Sequence, residues 1–108
     1  MKLSVSQILN SESAIFHDEG LRVYDEIHKY VTNGEIVELS FLGISTCSTQ
    51  FMNACIGKIY LEYSKQADNL LKVIDFDQMP LFESKLHDVI ENALNHDEYN
   101  LDVTSLLA

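Results

Sequence analysis

The segment from Ser45 to Gln50, STCSTQ, concentrates side chains that could do chemistry. Four of its residues carry a hydroxyl group, and Cys47 adds a thiol between them. A hydroxyl in such a segment can cap a helix, accept a phosphate, or attack a substrate as a nucleophile. Because the apolar pattern predicts a helix from about Thr49, we expect Ser48 and Thr49 to act as helix cap or phosphoacceptor.

Catalysis by this segment would need partner groups that the spacing does not supply. A hydrolase triad requires Ser48 or Cys47 beside a histidine and a carboxylate, and neither residue stands in a G-x-S-x-G turn. The four histidines are scattered, and the four glycines are isolated rather than grouped in a phosphate-binding loop. The sequence therefore predicts that the protein is not an enzyme.

Metal and cofactor motifs are also missing from the sequence. Cys47 and Cys55 have no histidine between them and lack the short spacing of zinc thiolates. Cys55 is expected in the core, whereas Cys47 is a candidate for an exposed, reactive thiol. Asp75 and Asp77 are expected on one face of a strand end, where a solvated strand end is a better interpretation than a magnesium site. We expect no metal and no cofactor.

The elements that position these residues begin with a loosely alternating segment, Met1 to Leu9, which predicts a strand. A polar connection follows, and it could hide a further short strand around residues 14–16. The 3–4 spacing of apolar residues then predicts a helix from about Glu19 to Val31. Asp18 is the expected N-cap, and Asn33-Gly34 is the expected helix end.

The second half repeats this alternation of strands and helices. Residues 36–41 and 70–76 read as strands, the first of them broken by Gly43. Residues 49–63 and 80–94 read as helices, the second with Pro80 in its first turn. Residues 95–108 are polar and are expected to form a tail or extension.

The resulting order, β-α-β-α-β-α, predicts an α/β fold in one small domain spanning residues 1–108. Strand-helix-strand crossovers favour a largely parallel or mixed sheet with helices packed on it. Hydrophobic residues make up 46% of the chain, which is enough for a core without disulfides or metals.

The charge balance limits the choice of partners. Seven lysine and arginine residues stand against 17 aspartate and glutamate residues, giving a net charge of -10. Such a field repels nucleic acid and anionic membrane surfaces. The first residues resemble neither a signal peptide nor a membrane span, so we expect a cytoplasmic location.

One stretch carries a family resemblance. The pairs Ser40-Phe41 and Gly43-Ile44, the segment Ser45 to Thr49 and the pair Gln50-Phe51 together resemble the STAS-like domain family of unknown function. That family is itself similar to the STAS domains of anti-sigma-factor antagonists. The resemblance covers about residues 20–94. Ser40 stands where the family pattern has aspartate, and Gln50 stands where it has serine.

The resemblance implies a non-catalytic regulatory module that binds another protein by partner switching. Its partner would be a histidine-kinase-like ATP-binding protein, which in STAS antagonists phosphorylates a serine at the start of the helix. The partner-binding loop expected here consists of Gly43, Ser45, Thr46, Cys47, Gln50 and Asn53. Two alternatives remain open: a small ligand-binding or anion-binding protein or hydrolase that uses the same loop, and a self-associating homodimer.

Overall fold

Residues 1–95 are described by the structure, a computed structural model of the chain. In chain order the elements are β1 (Lys2–Ser4), α1 (Val5–Leu9), β2 (Ser13–Ala14), α2 (His17–Val31), β3 (Val37–Ser40), β4 (Thr46–Cys47), α3 (Thr49–Met52), a π-helical turn (Asn53–Gly57), α4 (Lys58–Tyr63), a 3₁₀ turn (Ser64–Gln66), α5 (Ala67–Leu70), β5 (Leu71–Ile74) and α6 (Phe82–Leu94). From α3 to α4 the backbone stays helical, and we call residues 49–63 the central helix.

Three parallel strands form the main sheet in the order β1-β3-β5. In β3 the side chains of Val37 and Leu39 are fully buried, whereas Glu38 between them is exposed. Glu38 is in register with Lys2 on one side and Lys72 on the other. One face of the sheet therefore packs on the core, and the other carries a row of alternating charges. The α/β prediction with parallel strands is confirmed.

The central helix fills the middle of the core. Its fully buried residues include Phe51, Met52, Cys55, Ile56 and Ile59. Helix α2 packs against its first half, and α6 packs along its length. This confirms the prediction that the helix is buried on more than one side.

The strand predicted over Met1 to Leu9 is wrong beyond Ser4. The Ser4 hydroxyl accepts a hydrogen bond from the Gln7 N–H at 3.3 Å and starts the short helix α1. Asn10 ends that helix in the left-handed conformation, at φ 51°. Local capping thus overrides the weak strand pattern, because the cap and the left-handed residue stabilise a single helical turn.

The predicted cap of α2 is also wrong. The helix begins at His17, so Asp18 lies inside its first turn rather than before it. The Glu19 carboxylate instead reaches back and accepts hydrogen bonds from the N–H groups of Phe16, at 3.2 Å, and Ile15, at 3.4 Å. Asp18 still suits its position, because negative charge is favourable at a helix N-terminus.

Within residues 1–95, no helix is long and apolar enough to cross a membrane. The predicted tail beyond Asn95 lies outside the described residues.

Candidate functional site

The sequence suggested that the hydroxyl-rich segment is one loop, and this is wrong. Thr46 and Cys47 form β4, which pairs in parallel with Ser13 and Ala14 of β2. The Ser45 N–H donates to the Glu12 carbonyl at 2.8 Å and extends this pairing. The predicted strand near residues 14–16 therefore exists, one residue earlier, and its partner is the segment expected to be a loop. Pairing of this kind fixes the backbone of the segment while its side chains stay exposed at Ser45 and Thr46.

Ser48 is the N-cap of the central helix. Its hydroxyl accepts a hydrogen bond from the Phe51 N–H at 3.0 Å and donates one to the Ile15 carbonyl. Its own N–H donates to the Ala14 carbonyl at 2.9 Å. Ser48 is thereby joined both to the helix that it starts and to the segment beside β2, which makes its hydroxyl a structural group.

The next exposed residues lie on the first two turns of the central helix. Thr49, Gln50 and Asn53 face solvent, whereas Phe51 and Met52 between them are fully buried. We call the exposed set, Ser45, Thr46, Thr49, Gln50 and Asn53, the docking face. Its side chains stand on a backbone that is held by strand pairing on one side and by core packing on the other.

Gly43 lines a different cleft from that lined by Ser45 and Thr46. It adopts φ 87°, which favours glycine, in the turn that follows the end of β3 at Ser40. A cleft of about 510 Å³ runs beside it, lined by residues of β1, α1 and β3 and by Leu42 and Gly43. The turn after β3 therefore borders a different surface from that of Thr46.

Cys47 is buried, with 7% of its surface exposed, so the expectation of an exposed, reactive thiol is wrong. Burial raises its pKa to about 12, against a smaller opposing effect of Lys85. A thiol that stays protonated at neutral pH is a weak nucleophile. Cys55 is fully buried, as predicted for a core residue.

A cleft of about 190 Å³ lies between β4 and the start of α6. Its first wall is formed by Ser45, Thr46 and Cys47, and its second wall by Met79, Pro80, Leu81, Phe82 and Lys85. The Lys85 Nζ donates to the Cys47 carbonyl at 3.3 Å, and Leu81 is 67% exposed at the rim. We call this the Lys85 cleft.

Sequence reasoning missed both Leu81 and Lys85. The available signal was that Lys85 is the one lysine or arginine among the acids of α6, although only the fold shows that it lies against β4.

The ends of β3 and β5 are joined by a hydrogen bond between side chains. Ser40, 3% exposed, donates its hydroxyl hydrogen to the Asp75 carboxylate at 2.6 Å. Asp75 has a left-handed backbone, at φ 61°, so the expectation that it shares an extended face with Asp77 is wrong. The Gln78 amide nitrogen donates to the carbonyls of Phe41, at 2.8 Å, and Ile44, at 3.1 Å. The turn after β3 is thus bound to the segment after β5.

Among residues 1–95, no group of three or more histidine, cysteine, aspartate or glutamate side chains is arranged to hold a metal ion.

A family model described as STAS-like domain of unknown function (DUF4325) matches residues 19–79, more than half of the chain. The match runs from α2 through the hydroxyl-rich segment, the central helix and β5 to Met79, and stops before α6. No curated protein and no solved structure matches the chain.

Proposed function

The chain belongs to the STAS-like domain family of unknown function, and on that premise we propose that it is a non-catalytic regulatory module of the cytoplasm. It acts by binding another protein through the docking face. The partner suggested by the resemblance to STAS antagonists is a histidine-kinase-like ATP-binding protein, which would release or capture the module by partner switching.

The observation that carries this proposal is the combination of a fixed backbone and exposed side chains at the docking face. Thr49, Gln50 and Asn53 are exposed, and no side-chain hydrogen bond to another described residue occupies them. The backbone beneath them is held by the Ser48 cap and by the pairing of β2 with β4. A surface whose backbone is already ordered has a lower entropic cost of binding.

Catalysis fits this segment less well. The Ser48 hydroxyl hydrogen is bonded to a backbone carbonyl rather than to a base, and the Cys47 thiol is buried. The Lys85 cleft, at about 190 Å³, is smaller than the roughly 300 Å³ at which small-molecule sites begin. At this segment these features favour contact with a macromolecule over turnover or capture of a small ligand, and the cleft of about 510 Å³ beside Gly43 is lined by no residue of Ser45 to Gln50.

A phosphate switch, if the module uses one, would act best at Thr49. Its hydroxyl is exposed and lies at the first position of the helix, where unpaired N–H groups and the helix dipole favour a phosphate. Ser48 is less suited, because modification would break its bonds to Phe51 and Ile15.

The test is affinity capture of the tagged full-length chain from its native cells. Asn53→Arg places a bulky charge on the docking face, and Asn69→Arg places the same change on an exposed position of α5. We expect the wild type and Asn69→Arg to recover the same ATP-binding partner, and Asn53→Arg to recover at most about a tenth as much. Phosphopeptide mapping of the captured bait shows in the same run whether Thr49 is phosphorylated.

Three results would count against the proposal. Equal recovery by both variants would remove the docking face from the interface. Capture of no protein, together with a mass in solution that doubles with concentration, would favour the homodimer. Turnover that depended on Ser48 would favour the hydrolase.

A further inference from the structure

The Lys85 cleft joins a cation to an apolar wall at the edge of the docking face. Met79 and Phe82 are buried at its base, with 8% and 2% of their surfaces exposed, while Leu81 stands out at the rim. Because the cleft is too small for a typical small-molecule ligand, its volume suits one or two protein side chains. A well-packed pocket of this kind is where an interface concentrates its binding energy.

Three other cations of the described residues each contact a partner group, and Lys2 and Lys65 are exposed. Lys29 pairs with Glu26 at 2.8 Å, Lys58 lies 4.3 Å from the Tyr24 ring centre, and the Arg22 guanidinium donates to a carbonyl at 2.9 Å.

Lys85 differs from the exposed Lys2 and Lys65 in being half-buried against an apolar wall. Within residues 1–95 no carboxylate lies within 4.0 Å of its Nζ, and its hydrogen bond to the Cys47 carbonyl is long, at 3.3 Å. An ammonium group has three N–H donors, so Lys85 can donate to a carboxylate and keep its hydrogen bond to the Cys47 carbonyl. In a chain with a net charge of -10, a half-buried cation facing a cleft is a local exception to the general field.

We infer that the Lys85 cleft receives an acidic side chain of the partner protein, with an apolar neighbour in the partner sequence packing on Leu81. The inference rests on the proposed docking function and assigns the chemistry of its partner. The acidic residue would be a single one among neutral or basic neighbours, because the surrounding negative field repels an acidic segment. Charge complementarity at one point then fixes the register of the contact.

The experiment uses a library of random short peptides as the probe, displayed on phage and selected on the full-length protein. Wild-type protein should enrich peptides with an aspartate or glutamate beside an apolar residue. The best peptide should bind Lys85→Gln about tenfold more weakly than the wild type, and Lys85→Arg within about threefold. Lys65→Gln, which removes an exposed lysine of the 3₁₀ turn and changes net charge equally, should leave its affinity unchanged.

Two further measurements keep the result interpretable. Equal thermal midpoints of Lys85→Gln and wild type show that the variant is folded, and replacing the acid of the best peptide by its amide should match the loss seen with Lys85→Gln. Enriched peptides without an acid, no enrichment, or equal binding to Lys85→Gln would each overturn the inference. If Asn53→Arg abolishes capture of the native partner while Lys85→Gln does not, the docking function stands and the acidic contact is wrong.

Discussion

The two ends of the central helix are held in place by different means. At its N-terminal end the contacts are made by backbone and by the Ser48 cap, and the exposed side chains reach out to solvent. At its C-terminal end the polar side chains themselves make the contacts. Tyr60 donates to the Asp68 carboxylate at 2.5 Å, and Glu62 accepts the Tyr24 hydroxyl while lying 3.8 Å from His28.

Under the docking function proposed above, this difference would separate stability from recognition along one helix. Side chains that hold neighbouring elements together are not free to bind a partner, as at Glu62. Within residues 1–95, the side chains of Thr49, Gln50 and Asn53 make no hydrogen bond, and backbone contacts position that end of the helix. If this interpretation is right, substitutions that disturb the backbone contacts should cost more free energy of unfolding than substitutions of the polar side chains at the opposite end.

The largest effect is expected from Gly20→Ala. Gly20 faces the N-terminal half of the central helix, and a Cβ there would lie 2.6 Å from both the Ala54 Cβ and the Phe51 carbonyl oxygen. In a free helix this change gains up to about 1 kcal/mol. Here we expect the free energy of unfolding to fall by about 3 kcal/mol, because overpacking forces the helices apart.

Chemical denaturation measures this change, with Asp25→Ala on the exposed side of α2 as the matched control. The control should remain within about 0.5 kcal/mol of the wild type. A Gly20→Ala variant more stable than the wild type would show that the close approach of α2 does not hold the N-terminal end of the central helix.

The second effect is expected from Ser48→Ala. It leaves the Phe51 N–H and the Ile15 carbonyl without their partner. We expect a loss of about 1–2 kcal/mol in the free energy of unfolding, since a cap and a tertiary hydrogen bond are removed together. Thr49→Ala removes the neighbouring exposed hydroxyl and should cost much less. Equal losses for the two variants would contradict the role of Ser48 in joining the helix to the β2 segment.

The sequence predicted those parts of the fold that bury a regular apolar pattern. Helices α2 and α6, the central helix and strands β3 and β5 all carry such a pattern, since one side of each meets the core. The pairing of β2 with β4 could not be read, because two-residue strands carry no period and depend on contacts distant in sequence. The π-helical turn, likewise, has no signal in local residue preference.

The candidate site was predicted less completely than the fold. Hydroxyl density and the helix start pointed to Ser48 and Thr49, because capping is a local interaction. Burial of Cys47 and the approach of Lys85 depend on how α6 packs beside β4, which a single sequence does not specify. The Ser40 contact with Asp75 has the same origin, since parallel strands bring their ends together over a long sequence separation.

The smallest effect is expected at the C-terminal end, from Tyr24→Phe. Burial and the hydrogen bond to Glu62 raise the pKa of the Tyr24 hydroxyl, so it remains a donor over the whole physiological range. Removing it should lower the free energy of unfolding by about 1 kcal/mol, because water can replace the donor at the partly exposed Glu62 carboxylate. The ring stays in place beneath Lys58, so packing is kept. Tyr30→Phe, in the same helix, is the matched control, and a double-mutant cycle with Glu62→Gln isolates the pair. If Tyr24→Phe lowers the free energy of unfolding more than Ser48→Ala does, the C-terminal end contributes more to stability than the N-terminal end. Side-chain contacts would then be the main support of the central helix.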